Sequence, residues 1–387
     1  MTAPSPAAPR AEHVATAVVF FVNGFGFASW VSRIPAVRDS LQLSESQLGM
    51  ALLAMGVGAL LAFQLTGRGL GYLSARGLTL AVGFLYCYAL PQPVMVGSLP
   101  ILALTLFLMG AANGSMDVAM NALAVEVEAR QQKSIMSRLH GMWSAGGLCG
   151  ASIGGLMAQR DVPASAHLIG AAACMATALL VARRWLPDLP AKPPESSPRF
   201  AWPEPAMLGL GGIVCCAFLI EGAMADWSAV YLKDTLGTTA GKAALGYAAF
   251  SFAMMGLRLA GDQIVARWRA ASLLRVGNAA AAVMLAVAIA TQHAATTMVA
   301  FVLVGLGVAV VAPLVFGAAA RRSRHSAGQG IAAMATLGYG GFLMGPPVIG
   351  WLAHLISLRG ALLLLAVLAA GIALLSHHLD EPSPSAA

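Results

Sequence analysis

Asn113, Asp117 and Asn121 place a carboxyl group between two amides, each four residues away. At 3.6 residues per turn all three side chains fall on one face of a helix. The surrounding stretch, 100–125, is otherwise apolar. An aspartate in that setting takes up and releases a proton, binds a solute directly, or is a static member of an inter-helix network. The flanking amides donate and accept hydrogen bonds, which suits a polyhydroxylated or otherwise polar small molecule. Asp117 is therefore the first candidate for proton coupling, with Asn113 and Asn121 as candidate solute ligands.

Three more acids fall in or near apolar stretches: Glu221, Asp226 and Asp262. A charge at the centre of a membrane helix costs roughly 2.5–3.5 kcal/mol on insertion scales, so each acid needs a cavity, a partner or a proton. Glu221 is the deeper of the seventh-span pair and is the second proton-coupling candidate. Its counterpart in the first span is Asn23, a candidate solute ligand. Asp226, five residues on, points elsewhere; it pairs with Arg33, closes an outer gate, or is a solvated helix end. Trp30 and Trp227 either stack on the solute or anchor at the membrane interface. Arg258 and Asp262, four apart, can pair along one helix face, and with Arg267 they form a candidate gate latch. His140 is a polar boundary residue or a proton relay.

These residues need a scaffold that puts polar groups inside an apolar phase, and the composition supplies one. Of 387 residues, 58% are hydrophobic and 10% charged, with a mean hydropathy of +0.77. Soluble domains carry about 25% charged residues. A disordered chain, a coiled coil and a soluble enzyme are excluded. The net charge of +7 does not indicate nucleic acid, because the basic residues lie in short clusters between apolar stretches. Cys87, Cys149, Cys174, Cys215 and Cys216 lie within apolar segments without metal-ligand spacing. No phosphate-binding loop, zinc motif or nucleotide fingerprint is present, so neither metal nor organic cofactor is expected.

Stretches long enough to cross a bilayer lie at 14–32, 47–67, 78–97, 100–125, 139–158 and 164–182. A second six lie at 207–232, 243–266, 272–291, 295–319, 329–353 and 359–377. Residues 1–13 run straight into the first stretch with no small-residue cleavage site, so that span is expected to be retained. Between the two sets, 183–206 contains seven prolines and reads as a linker between a bundle at 1–182 and another at 207–387. With both termini inside, 16 Lys and Arg lie on the inner side and six on the outer. That bias predicts cytoplasmic termini.

The halves repeat. Asn23-Gly24 followed by Ser29-Trp30 echoes Glu221-Gly222 followed by Asp226-Trp227. Gly146, Gly150 and Gly155 match Gly341, Gly345 and Gly350 at a constant offset of 195. Half-chain repeats of this kind characterise parallel-repeat transporters. The glycines either pack helices tightly or let them slide. Pro313, Pro346 and Pro347 mark expected bends in the tenth and eleventh spans. The polar stripe has no twin in the tenth span, where Ala312 stands at the offset of Asp117.

Twelve spans in two similar halves joined by a basic linker resemble the major facilitator superfamily over essentially the whole chain. More narrowly, Glu221-Gly222-Ala223-Met224-Ala225-Asp226-Trp227-Ser228 is similar to the seventh-span signature of the MosC-like branch, which is distantly similar to fucose–proton symporters. Gly256 to Asp262 resembles the second copy of the superfamily's charged loop motif. The first copy, around Arg68 and Arg76, lacks the usual aspartate. The resemblance places Asp117 where the fourth-span glutamate of the fucose carriers stands. Their first-span aspartate has no equivalent, since that span offers only Asn23 and Ser29, and Glu221 is the substitute acid in the opposite half.

The expectation is an all-α protein of twelve transmembrane helices, sitting as a monomer in the bacterial inner membrane. Its partners are the lipid bilayer, protons and a small polar solute, not nucleic acid. Two bundles rock about a central pocket, and proton symport imports the solute. The nearest rival is a proton-coupled exporter of amphipathic compounds or metabolites.

Overall fold

The computed structural model describes residues 7–70, 72–131, 135–187, 204–323 and 327–380. All regular structure among them is helical. The chain separates into two compact units, one of Met1–Gln42 with Ala54–Glu195, the other of Leu43–Leu53 with Ser196–Ala387. Most of the expected linker lies outside the described residues.

The first half carries α1 (Ala7–Val31), α2 (Ile34–Leu41), α3 (Glu45–Gly69), α4 (Ala75–Ala89), α5 (Leu99–Gln131), α6 (Met136–Gln159) and α7 (Ala164–Ala182). The second carries α8 (Leu208–Val230), α9 (Ala240–Arg267), α10 (Ala270–Thr291), α11 (Ala294–Val308), α12 (Val311–Arg322), α13 (Ala327–Ile356), α14 (Leu358–Ala361) and α15 (Leu363–Leu375). The short pieces follow from local chemistry. Pro35 sits at the start of α2, where its missing N–H costs nothing, so the chain turns at Ser32–Arg33 and restarts. Pro313 has no N–H for the carbonyl of Ala309, and the tenth span breaks there into α11 and α12. Pro346 and Pro347, by contrast, lie inside the unbroken helix α13.

Among the described residues, ten helical segments are long and apolar enough to cross a membrane. The two expected spans outside that set are α6 and α13, which have the length, at 24 and 30 residues, but are rich in glycine. Glycine lowers their apolarity because these helices trade side-chain bulk for close contact. Within the first unit α1 makes its most extensive contact with α6, and within the second α8 makes its own with α13. A Cβ on Gly146 would overlap the Phe21 carbonyl of α1, and one on Gly341 would overlap the Cys215 carbonyl of α8. Gly146 and Gly341, at offset 195, thus do the same work in each half. The α4·α5 pair is likewise repeated as α10·α11.

Large apolar side chains stand exposed along these helices, among them Leu65, Leu104, Leu108, Val283, Val367 and Leu374, the last 75% exposed. Water does not tolerate so continuous an apolar surface, whereas lipid does. The chain is a multi-pass membrane protein.

Candidate functional site

In the first unit the expected stripe on α5 divides. Asn113 is drawn to α1, where Asn23 Nδ2 donates to its Oδ1 at 3.0 Å. Asn23 Oδ1 in turn accepts from Trp143 Nε1 of α6 at 2.8 Å. Asn23 is only 2% exposed, so it joins three helices from within the bundle. Asn121 turns back on its own helix, donating to the Asp117 carbonyl at 2.9 Å and to Asp117 Oδ1 at 3.3 Å. Asp117, Asn113 and Asn121 all keep partial exposure. The result is two adjacent polar groups on α5, one tied to α1 and α6 and the other built around Asp117.

Trp143 is a member that reading the sequence missed. A signal existed: an indole N–H inside an apolar helix needs an acceptor. The sequence does not say that the acceptor lies 120 residues away. Asn23→Leu leaves both Asn113 Oδ1 and Trp143 Nε1 without their partner. Each unpaired buried group costs about 1–3 kcal/mol, so thermal unfolding of the purified variant is expected to shift down by several degrees. Asn121→Leu, which removes only a contact within one helix, is expected to shift it less.

In the second unit Glu221 Oε1 of α8 lies 3.5 Å from Arg258 Nη2 of α9. Arg258 Nε donates to the carbonyl of Ala309 at 3.1 Å. This is the carbonyl that Pro313 deprives of its helical donor, so the guanidinium replaces the missing N–H while also neutralising Glu221. Two residues earlier, the buried Asn278 of α10 donates to the Gly307 carbonyl at 2.8 Å. Non-helical backbone at membrane depth persists only where protein or a wet cavity satisfies it. Here Arg258 and Asn278 satisfy it.

The other expected site residues are placed as follows. The side chain of Asp262 lies outside the described residues, so the expected Arg258–Asp262 contact does too; the partner observed for Arg258 is Glu221. Arg267 closes α9 and is exposed. Arg33 is 4% exposed and its Nε donates to His167 Nδ1 of α7 at 3.0 Å, a contact made within the first unit. Asp226 is not a solvated helix end: it is 7% exposed, and among the described residues it forms no hydrogen bond or ion pair. Trp30 and Trp227 are 1% and 0% exposed, and neither indole N–H has a partner among the described residues. Both rings are packed in protein at repeat-related positions. All five cysteines are free, and no cluster suited to a metal ion occurs among the described residues.

The chain matches the Major Facilitator Superfamily model over residues 16–346. It is 35% identical to an uncharacterized MFS-type transporter of Yersinia pestis, over 92% of this chain and 94% of that protein. It is 30% identical to membrane protein MosC of Rhizobium meliloti, over 96% of this chain and 92% of that protein. Among solved structures, the nucleoside transporter NupG superposes with a TM-score of 0.72 at 12% identity, covering 96% of this chain and 99% of its own. A bacterial homolog of the human lysosomal transporter Spinster gives 0.73 at 14%, covering 99% and 100%. At such identities these likenesses concern the fold. Polar groups held inside lipid-facing bundles, repeated helix pairs and the family match together establish that this chain belongs to the major facilitator superfamily, the secondary transporters of small solutes.

Proposed function

We propose that the protein imports a small polar, sugar- or polyol-like solute by proton symport. The observation that carries this reading is the pair of polar groups on α5. One presents the amides of Asn23 and Asn113, and one helical turn away the other presents a carboxyl group paired with the amide of Asn121. Uncompensated polar groups are costly in a membrane bundle, and Asn113, Asp117 and Asn121 retain partial exposure around the buried Asn23. Asp117 exchanges the proton and the neighbouring amides bind hydroxyls. In the second unit protonation of Glu221 removes the charge that holds Arg258, which links proton binding to the α11–α12 break.

Placement in the MosC-like branch, distantly related to fucose–proton symporters, is supported by the seventh-span signature and by the 30% identity to MosC. The domain plan is a bundle at 1–182, a cytoplasmic linker at 183–206 and a second bundle at 207–387. The positive-inside bias supports cytoplasmic termini in a bacterial inner membrane.

The test is ligand-induced thermal stabilisation of the purified protein with sugars, inositols, amino sugars and amphipathic drugs. Wild type and Asp117→Asn are each measured at pH 6 and pH 8. Symport with a proton requires solute and proton to bind together, so a polar ligand is expected to stabilise the wild type more at pH 6. The variant is expected to lose that difference. Stabilisation by bulky amphipaths alone would replace this reading with an exporter. An unchanged pH dependence in Asp117→Asn would remove Asp117 from the coupling step.

A further inference from the structure

One apolar cavity lies away from the polar groups. A groove of about 930 Å³ runs between α1 and α7 within the first unit. Small side chains on both helices create it, Ala15 and Val18 facing Ala173 and Ala178. The hydroxyl on its wall, Thr177, is spent on the Ala173 carbonyl of its own helix at 2.8 Å. The groove therefore offers its length to something apolar.

One end is different. Arg10 lines it, and so does Trp185, 48% exposed, in the turn that follows α7. Arg183 and Arg184 lie in the chain between the lining residues Ala182 and Trp185, and both are exposed. The position of this turn is held from α4, since Arg76 Nη2 donates to the Arg183 carbonyl at 2.8 Å. Among the described residues Arg10, Arg183 and Arg184 form no ion pair, whereas the nearby Glu12 is taken by Arg130 at 3.0 Å. Arg10 and Trp185 thus line an apolar slot, and the exposed Arg183 and Arg184 stand in the adjoining turn with no ion pair among the described residues.

We infer that this groove is a binding site for an anionic phospholipid of the surrounding membrane, one acyl chain lying between α1 and α7 and the phosphate on Arg10, Arg183 and Arg184. Charge complementarity selects the headgroup, as in basic pockets between transmembrane helices that hold anionic lipids. Apolar length selects the chain. Trp185 fixes the depth at which the two meet. A soluble anion has no use for the slot, and a zwitterionic lipid gains less from the arginines because its own cationic group offsets its phosphate.

The experiment is native mass spectrometry of the protein released from nanodiscs of phosphatidylglycerol and phosphatidylcholine in equal amounts. The wild type is expected to retain one phosphatidylglycerol with at least ~10-fold preference, given the attraction of each arginine for an anionic headgroup. The triple variant Arg10→Gln/Arg183→Gln/Arg184→Gln is expected to lose that preference, and the exposed-site control Arg269→Gln to keep it. Ala178→Phe, which fills the slot, is expected to lose the bound lipid whatever its headgroup. A phosphatidylglycerol carrying a diazirine on its acyl chain tests the same point without a mutation, with crosslinks expected at 11–18 and 173–182. Equal retention of the two lipids, an equal loss in Arg269→Gln, or crosslinks spread over other helices would overturn the assignment.

Discussion

Arg258→Met is expected to destabilise the protein by about 2–4 kcal/mol, read as a fall in the thermal unfolding midpoint. The substitution keeps the length of the side chain and removes its charge and donors. Two groups are then left behind. Glu221 loses its counter-charge, and breaking a fully buried pair from one side costs about 3–5 kcal/mol. That figure is reduced here because the two side chains keep 16% and 19% exposure. The Ala309 carbonyl also loses its donor, and it has no other in the helix because residue 313 is proline.

The two contributions separate by rescue. Adding Glu221→Gln to Arg258→Met removes the stranded charge and is expected to recover the electrostatic part. Adding Pro313→Ala supplies an N–H four residues after Ala309 and is expected to recover about 1–2 kcal/mol as the helix closes. If Pro313→Ala does not improve Arg258→Met more than it improves the wild type, the guanidinium is not the surrogate donor.

Gly341→Ala and Gly146→Ala are expected to be strongly destabilising although each adds a single methyl group. In both, the new Cβ would overlap a backbone carbonyl of the facing helix, and a carbonyl cannot move aside as a flexible side chain can. The helices must separate, at a cost of about 1–3 kcal/mol or more. Gly340→Ala is the control, one residue away on the same helix, with open space where its Cβ would stand. There alanine is expected to be neutral or to stabilise by up to about 1 kcal/mol through helix propensity. Thermal unfolding of the three variants therefore gives opposite signs for adjacent positions in α13. Equal effects at 340 and 341 would mean that the α8·α13 contact is not backbone-tight.

Much of the architecture was legible before any coordinates. Membrane spans are a local property, so runs of apolar residues placed twelve of them, ten of which meet length and apolarity among the described residues, while the half-chain repeat picked out the glycine-rich pair. The break in the tenth span was also local, written in Pro313. The same reasoning expects bends at Pro346 and Pro347, which lie within the continuous helix α13. The backbone of α13 at Phe342, the residue whose carbonyl Pro346 cannot serve, packs against Gly222 of α8, and such a neighbour cannot be read from the segment itself.

The candidate site was legible as a set of residues and not as a set of partners. Asn113, Asp117 and Asn121 stand out because polar groups are rare in such helices. Their division into an Asn23–Trp143 group and an Asp117 pair does not follow from spacing. Arg258 pairs with Asp262 in the reading from one helix, a contact that lies outside the described residues, whereas its described partners Glu221 and the Ala309 carbonyl come from α8 and the α11–α12 break. Asp226 next to Trp227 reads from the sequence as a partner of Arg33, an outer gate or a solvated helix end, and the packing removes the last of these by burying both residues.

What the sequence determined by itself is therefore the membrane-spanning plan, the repeated halves and the identity of the few polar residues within them. Each depends on the chemistry of a residue and its near neighbours along the chain. The tertiary structure alone decided which polar group meets which, and which face of each helix turns inward. In water, one polar face and one apolar face declare how a helix packs. In lipid both faces are apolar, so close-fitting glycines and a handful of hydrogen bonds between distant segments settle the arrangement.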